Sequence, residues 1–129
     1  MTDISSAYVN ARSLISSLAA LRSRIISGGF DFIAITETWL TDAISTDSVS
    51  IGGYNLIRND RATRGGGVAF YITNTLQFDI IRTLTTIEQL WISISAGLLK
   101  IALGVVYRPP GSDLEVFLDN FECTLSDMT

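Results

Sequence analysis

The sequence predicts one domain of mixed α/β class, with strands paired in antiparallel hairpins and helices packed outside them. Its length of 129 residues suits a single domain. Apolar residues make up 47% of the chain and charged residues only 17%, so it can bury a core and is not intrinsically disordered. Two segments carry the apolar spacing of a helix, whereas the other apolar runs are short and bounded by turn residues, as strands are.

The N-terminal part predicts a strand, a helix and a second strand. Residues 4–10 fit a short strand. Apolar residues then recur at helical spacing, at Leu14, Leu18, Leu21 and Ile25. Gly28 and Gly29 end this helix, because glycine accepts the left-handed conformation of a helix cap. Residues 30–35 form a continuous apolar run, which predicts a strand covered on both faces.

The middle of the chain predicts a surface loop followed by five strands. Residues 41–50 are polar and lack periodicity, as a surface loop does. The strands are predicted at residues 54–58, 68–73, 77–84, 90–95 and 98–107. The first two are joined by a polar hairpin connection rich in arginine and glycine. We interpret Arg58, Arg61 and Arg64 in this region as solvated side chains, with phosphate contact as the alternative.

A second helix is predicted at the C-terminal end. Pro109 and Pro110 end the last strand, because proline has no amide hydrogen to donate to a sheet. Ser112 and Glu115 match a capping box, which predicts that Ser112 is the N-cap. The predicted buried face of the helix consists of Leu114, Phe117, Leu118, Phe121 and Leu125.

Composition excludes several classes of site. The chain has no histidine, which removes the usual general base and the commonest metal ligand. One cysteine, Cys123, excludes an internal disulfide and a cysteine zinc site. The longest apolar stretch, residues 97–107, is too short for a membrane span, and no signal peptide is visible. We therefore expect an intracellular protein, cytoplasmic or nuclear and not secreted.

Four polar residues lie where predicted strands end. Glu37 directly follows the second strand, where a carboxylate can bind Mg²⁺, although a solvated acid is the simpler interpretation. Tyr107 and Arg108 end the last strand and could contact a phosphate, or simply terminate the strand with a core tyrosine. Asn10 could orient a nearby carboxylate or initiate the helix. Four aromatic residues are assigned to the core rather than to base stacking: Trp39, Phe70, Phe78 and Trp91.

Several blocks occur together in a recognisable order. They are NARSL at 10–14, FDFIAITETWL at 30–40, GY at 53–54, RNDR at 58–61, GGGVA at 65–69 and VYRPP at 106–110. In this order, from about Tyr8 to Phe121, the chain resembles the N-terminal half of the endonuclease/exonuclease/phosphatase superfamily. Within that superfamily it is most similar to the apurinic-type endonuclease domain of non-LTR retrotransposons.

The resemblance implies a fold and a chemistry. The complete fold is a four-layered α/β sandwich of two packed sheets with outer helices, of which this chain is a part. Glu37 matches the metal-binding glutamate, Asn10 an active-site asparagine, and Tyr107 the tyrosine that approaches the scissile phosphate. Arg108 beside it is a candidate phosphate contact. The implied reaction is DNA phosphodiester hydrolysis with Mg²⁺ or Mn²⁺ as cofactor, in a polyprotein that continues into a reverse transcriptase.

The chain departs from the family at its C-terminal side. The later Gly-Asp-Phe-Asn and Ser-Asp-His blocks are absent, and no histidine is present. We therefore expect residues 1–129 to be a C-terminally truncated domain, inactive by itself, that self-associates through uncovered sheet faces and open edges. Two alternatives remain open: a sibling phosphatase or phosphodiesterase acting on a small phosphorylated substrate, and a noncatalytic interaction remnant.

Overall fold

A computed structural model describes residues 3–63, 65–83 and 85–128. Within these ranges the helices are α1 (Leu14–Gly28) and α2 (Leu114–Asp127), and a short 3-10 helix spans Thr46–Val49. The strands are β1 (Ser6–Asn10), β2 (Phe32–Thr36), β3 (Tyr54–Asn59), β4 (Val68–Thr73), β5 (Phe78–Ile81), β6 (Glu88–Ala96) and β7 (Leu99–Tyr107). Arg64 and the strand end predicted at Leu84 lie outside the described residues.

The strands form two sheets. The first has the order β1-β2-β4-β3, with β1 and β2 parallel and the other pairs antiparallel. The second is antiparallel and has the order β5-β6-β7. The predicted mixed α/β class and the predicted order of elements are confirmed.

Side chains along β4 point alternately into two buried cores, which explains why its sequence is apolar throughout. Ala69 and Tyr71 point toward α1 and pack in a core with its buried leucines. Phe70 and Ile72 point the other way and pack in a second core against β6. β2 is covered on both faces in the same manner, so its continuous apolar run is explained.

Helix α2 lies against the outer face of the second sheet at the Gln89 end of β6. Along β6, Leu90 and Ile92 point into the core between the sheets, whereas Gln89 points outward. The Gln89 side-chain amide donates to the Thr124 hydroxyl of α2 at 2.9 Å, and both groups are buried. The layers are therefore α1, the first sheet, the second sheet and α2.

The predicted cap of α2 is wrong, and its predicted buried face is right only at Phe117 and Phe121. Asp113 rather than Ser112 is the N-cap, and its carboxylate accepts from the Val116 amide at 3.1 Å. The inward face is centred on Phe117, Phe121 and Thr124, because α2 contacts β6 through Thr124. The predicted leucines lie to one side of that face and stay exposed, at 53%, 49% and 43% for Leu114, Leu118 and Leu125 respectively.

The inner faces of the two sheets cover each other at their centre. Apolar side chains at inner-face positions of the edge strands stay exposed, namely Tyr8, Ile80 and Leu99. The open features are strand edges: among the described residues β1 pairs only with β2, and β7 only with β6. Self-association stays a prediction, and it now rests on the edges.

Residues 41–50 do form a surface loop, but it is tied down. Val49 is buried, and the Arg58 guanidinium donates to the carbonyl groups of Thr41 and Ile44 at 2.9 and 2.8 Å.

No helix in the described part of the chain is long and apolar enough to cross a membrane. The intracellular location expected from the sequence stays a prediction.

Candidate active site

The parallel strands β1 and β2 end side by side, with Asn10 paired to Thr36. Pairing continues past both strands into residues 36–39, which we call the β2 exit segment. The Ala11 amide donates to the Thr36 carbonyl at 2.9 Å, and the Ser13 amide donates to the Glu37 carbonyl at 3.0 Å. The loop between β1 and α1 therefore holds one side of the exit segment.

The glycine run before β4 holds the other side. The Thr38 amide donates to the Gly67 carbonyl at 3.3 Å, and the Trp39 amide donates to the Gly66 carbonyl at 2.8 Å. Both glycines have positive φ, at 91° and 57°, and a Cβ on Gly67 would lie 2.3 Å from the Thr38 hydroxyl oxygen. Glycine is required here because the two segments approach each other closely.

Four non-glycine residues at this place have left-handed backbone: Arg12 (φ 45°), Ser13 (φ 90°), Glu37 (φ 54°) and Trp39 (φ 55°). Each costs about 1–2 kcal/mol relative to right-handed backbone. Such residues persist only where surrounding contacts fix them, and they concentrate at functional sites. The hydrogen bonds on both sides of the exit segment supply that constraint.

Asn10 and Glu37 are in direct contact. The Asn10 side-chain amide donates to Oε2 of Glu37 in a short hydrogen bond. Beside them, the Tyr8 and Thr36 hydroxyl groups are hydrogen-bonded at 2.7 Å. The structure thus brings together two of the residues singled out from the sequence, at the shared end of β1 and β2.

Glu37 opens on a cleft of ≈ 510 Å³ that Tyr107 also lines. The other lining residues are Ser13, Trp39, Arg61, Gly65, Gly66, Pro109 and Pro110. Partial burial raises the pKa of Tyr107 above its usual value of 10.0, and the Glu37 carboxylate raises it further. The Tyr107 hydroxyl therefore stays protonated at neutral pH and can act as a hydrogen-bond donor.

Glu88 links this cleft to the second sheet, and the sequence reasoning missed it. Its Oε2 pairs with the Arg61 guanidinium at 2.7 Å, and its Oε1 accepts from the Gly67 amide at 2.7 Å. Arg58 pairs with Asp60 at 2.7 Å. The interpretation of Arg58 and Arg61 as solvated side chains is therefore wrong, because both neutralise carboxylates of the same domain.

Arg108 and Trp39 are placed differently from expectation. The exposed Arg108 guanidinium donates to the Ser112 carbonyl at 3.2 Å, and Arg108 is not among the residues that line the cleft. Trp39 is 44% exposed at the cleft, so its assignment to the core is wrong. Phe70 is buried as predicted, whereas Phe78 and Trp91 are half-buried.

The chain has no match among protein-family models and none among curated protein sequences. Its structure is similar to solved structures. One is the endonuclease domain of TRAS1, a telomere-specific non-LTR retrotransposon (TM-score 0.69, 14% identity, 98% of this chain and 54% of that chain). Another is an AP endonuclease from Archaeoglobus fulgidus (TM-score 0.70, 14% identity, 98% and 52%). A third is the 3′ phosphatase NExo from Neisseria bound to a product DNA hairpin (TM-score 0.63, 13% identity, 97% and 51%).

At these identities the similarity concerns the fold. The chain shares its fold with these endonuclease and phosphatase structures, which agrees with the fold that the sequence blocks implied. It spans about half the length of the structures it matches.

The close approach at Gly67 predicts a selective effect of adding one methyl group. Gly53 is a matched control, because its φ of 86° is similar but its Cβ would meet nothing within 4 Å. Gly53→Ala should destabilise the chain by about 1–2 kcal/mol, the cost of left-handed backbone. Gly67→Ala should cost more, since the Thr38 hydroxyl must also move. Urea unfolding measures both, and equal losses would show that the close approach does not constrain the exit segment.

The shared cleft also predicts electrostatic coupling between Glu37 and Tyr107. Glu37→Gln should lower the pKa of Tyr107, because a nearby carboxylate disfavours the phenolate. The pKa should remain raised in part, since burial is unchanged. NMR titration of ring-labelled tyrosine measures the shift. Asp31→Asn is the control: it should lower the pKa of Tyr54 and leave that of Tyr107 unchanged. If Glu37→Gln leaves the pKa of Tyr107 unchanged, the two side chains are not electrostatically coupled.

Proposed function

We propose that this chain is the N-terminal, metal- and phosphate-binding part of a Mg²⁺-dependent DNA endonuclease domain of retrotransposon type. The observation that supports this most is the position of Glu37 and Tyr107 on one cleft, with Asn10 bound to the Glu37 carboxylate. One structure of the same fold is the endonuclease domain of a non-LTR retrotransposon, and another holds a DNA hairpin. These similarities, with the ETWL and YRPP blocks, support DNA as the substrate.

The donor set at Glu37 fits Mg²⁺. Among the described residues no three His, Cys, Asp or Glu side chains cluster to form a complete metal cage. Mg²⁺ does not need one, because it uses one or two protein carboxylates and keeps water for substrate phosphates. Asn10 binds Oε2 of Glu37, and Oε1 has no hydrogen-bond partner in the described parts of the chain. Glu37 would hold the ion, with Asn10 fixing the carboxylate, and Mn²⁺ would fit the same oxygen donors.

The bound ion would supply Lewis-acid polarisation of a phosphoryl oxygen. The residues of this chain bind and orient the phosphate beside it. Tyr107 donates its hydroxyl hydrogen to a phosphate oxygen, since a tyrosine with a pKa above 10.0 is protonated at neutral pH. Arg108 is exposed and does not line the cleft, so we assign it a lesser role.

The residues described here do not supply a base for the attacking water. The chain contains no histidine, and among the residues that the structure describes no second carboxylate lines the cleft with Glu37. Hydrolysis needs the base, the metal and the charge-stabilising donors in one place. We propose that an Asp-His pair lies in a second half of the domain, that a reverse transcriptase follows in the parent polyprotein, and that residues 1–129 alone are inactive.

The metal assignment predicts that Glu37 dominates divalent-ion binding by the chain. Glu37→Gln should weaken Mn²⁺ binding by at least about 10-fold, and Asn10→Ala by about 10-fold because the carboxylate loses its orienting partner. The free Mn²⁺ signal in electron paramagnetic resonance measures both. Glu115→Gln, an exposed acid on α2, removes the same charge and should have no effect. Parent-like binding by Glu37→Gln would refute the site.

Inactivity of the isolated chain is a separate prediction. Supercoiled plasmid incubated with the purified chain and Mg²⁺ should show no nicking above that seen with Glu37→Gln. Catalytic groups act together, so the loss of one of them lowers the cleavage rate by orders of magnitude. Metal-dependent nicking that persists in purified chain and disappears in Glu37→Gln would contradict the claim that the catalytic set is incomplete.

A further inference from the structure

We propose that Trp39 is a nucleobase-binding residue, which stacks on an unpaired base of the nucleic acid whose phosphate lies at Glu37. The inference rests on the proposed function for the identity of the ligand. It adds a contact that neither the metal nor the phosphate chemistry requires. Three observations carry it: the exposure of the indole, the rigidity of its backbone and its place in the cleft.

Trp39 faces outward between two buried neighbours. Thr38 and Leu40 are each only 1% exposed, whereas Trp39 is 44% exposed. Tryptophan offers a large apolar surface, so leaving nearly half of it in water forgoes much of the stabilisation that burial would give. In the described ranges the indole has no aromatic partner and its Nε1 has no acceptor. Its exposed surface is therefore available to a ligand.

The backbone under this indole is held rigidly in a costly conformation. Trp39 has a φ of 55°, which is uncommon for a bulky residue. Its amide donates to the Gly66 carbonyl at 2.8 Å, and the Leu40 amide donates to the Thr38 hydroxyl at 3.4 Å. These contacts fix the Cα position of Trp39 before any ligand binds, so binding orders little more than the indole itself.

The location identifies the ligand class. Trp39 lies two residues from Glu37 and lines the same cleft, together with Pro109 and Pro110. The volume of the cleft, ≈ 510 Å³, is within the range of small-ligand pockets, about 300–1,000 Å³. A flat apolar surface beside a phosphate-binding site matches a nucleotide unit, whose base has two aromatic faces. Stacking accepts any base, so Trp39 would recognise an unpaired base without sequence preference.

The test uses the whole chain, at low ionic strength and with EDTA, so that metal binding plays no part. Trp91→Phe leaves Trp39 as the sole tryptophan, and its fluorescence reports on the cleft. The probes are an oligothymidylate and an abasic oligonucleotide of equal length, which carry the same phosphates but differ in bases. We expect saturable quenching by oligothymidylate and little by the abasic strand. Equal quenching by both, or none by either, would overturn the proposal.

Affinity for labelled oligothymidylate, read by anisotropy, gives the second measurement. Trp39→Ala should weaken binding by about 5- to 150-fold, and Trp39→Phe by less because a ring remains. Trp91→Phe is the matched control and should bind like the parent, and circular dichroism checks that each variant is folded. Parent-like binding by Trp39→Ala would overturn the proposal. If Glu37→Gln binds Mn²⁺ like the parent while Trp39 fluorescence is still quenched only by strands that carry bases, the proposed metal site alone is refuted.

Discussion

Backbone hydrogen bonds on both sides of residues 36–39 fix the site, and the other features of the cleft depend on them. The loop after β1 holds one side through the Ser13 amide, and Gly66 and Gly67 hold the other. Without both sides, the left-handed backbone at Glu37 and Trp39 would relax, since each such residue costs about 1–2 kcal/mol. These hydrogen bonds therefore fix the positions of the Glu37 carboxylate and the Trp39 indole before any ligand binds.

A second set of contacts carries this position across to the other sheet. Glu88 accepts from the Gly67 amide and pairs with Arg61, while its own strand places it opposite Tyr107. The carboxylate is partly buried, so the pair gains from low solvent screening but also bears a desolvation cost. These contacts bring the two sheets together, so that the end of β2 at Glu37 and the end of β7 at Tyr107 line the same cleft.

Local sequence signals predicted most elements, because caps and periodicity act over a few residues. The leucine spacing of α1 and its Gly29 cap are examples. They placed Phe117 and Phe121 on the inward face of α2 but missed Thr124, because its buried contact with Gln89 joins residues distant in sequence. The Arg61–Glu88 pair joins residues distant in sequence, so no pattern revealed it, and the exposure of Trp39 follows from backbone geometry. Glu37, Asn10 and Tyr107 were singled out as strand-end residues, and the resemblance gave them roles.

The central claim is that Glu37 carries the divalent ion, and the acidic side of α2 offers the clearest competitor. Paramagnetic broadening by Mn²⁺, followed residue by residue in NMR spectra of the whole chain, compares the two directly. The account predicts early loss of amide signals at residues 10–13, 36–39 and 107. It is contradicted if the first signals to broaden are those around Asp119, Glu122 and Asp127, the carboxylates grouped on α2.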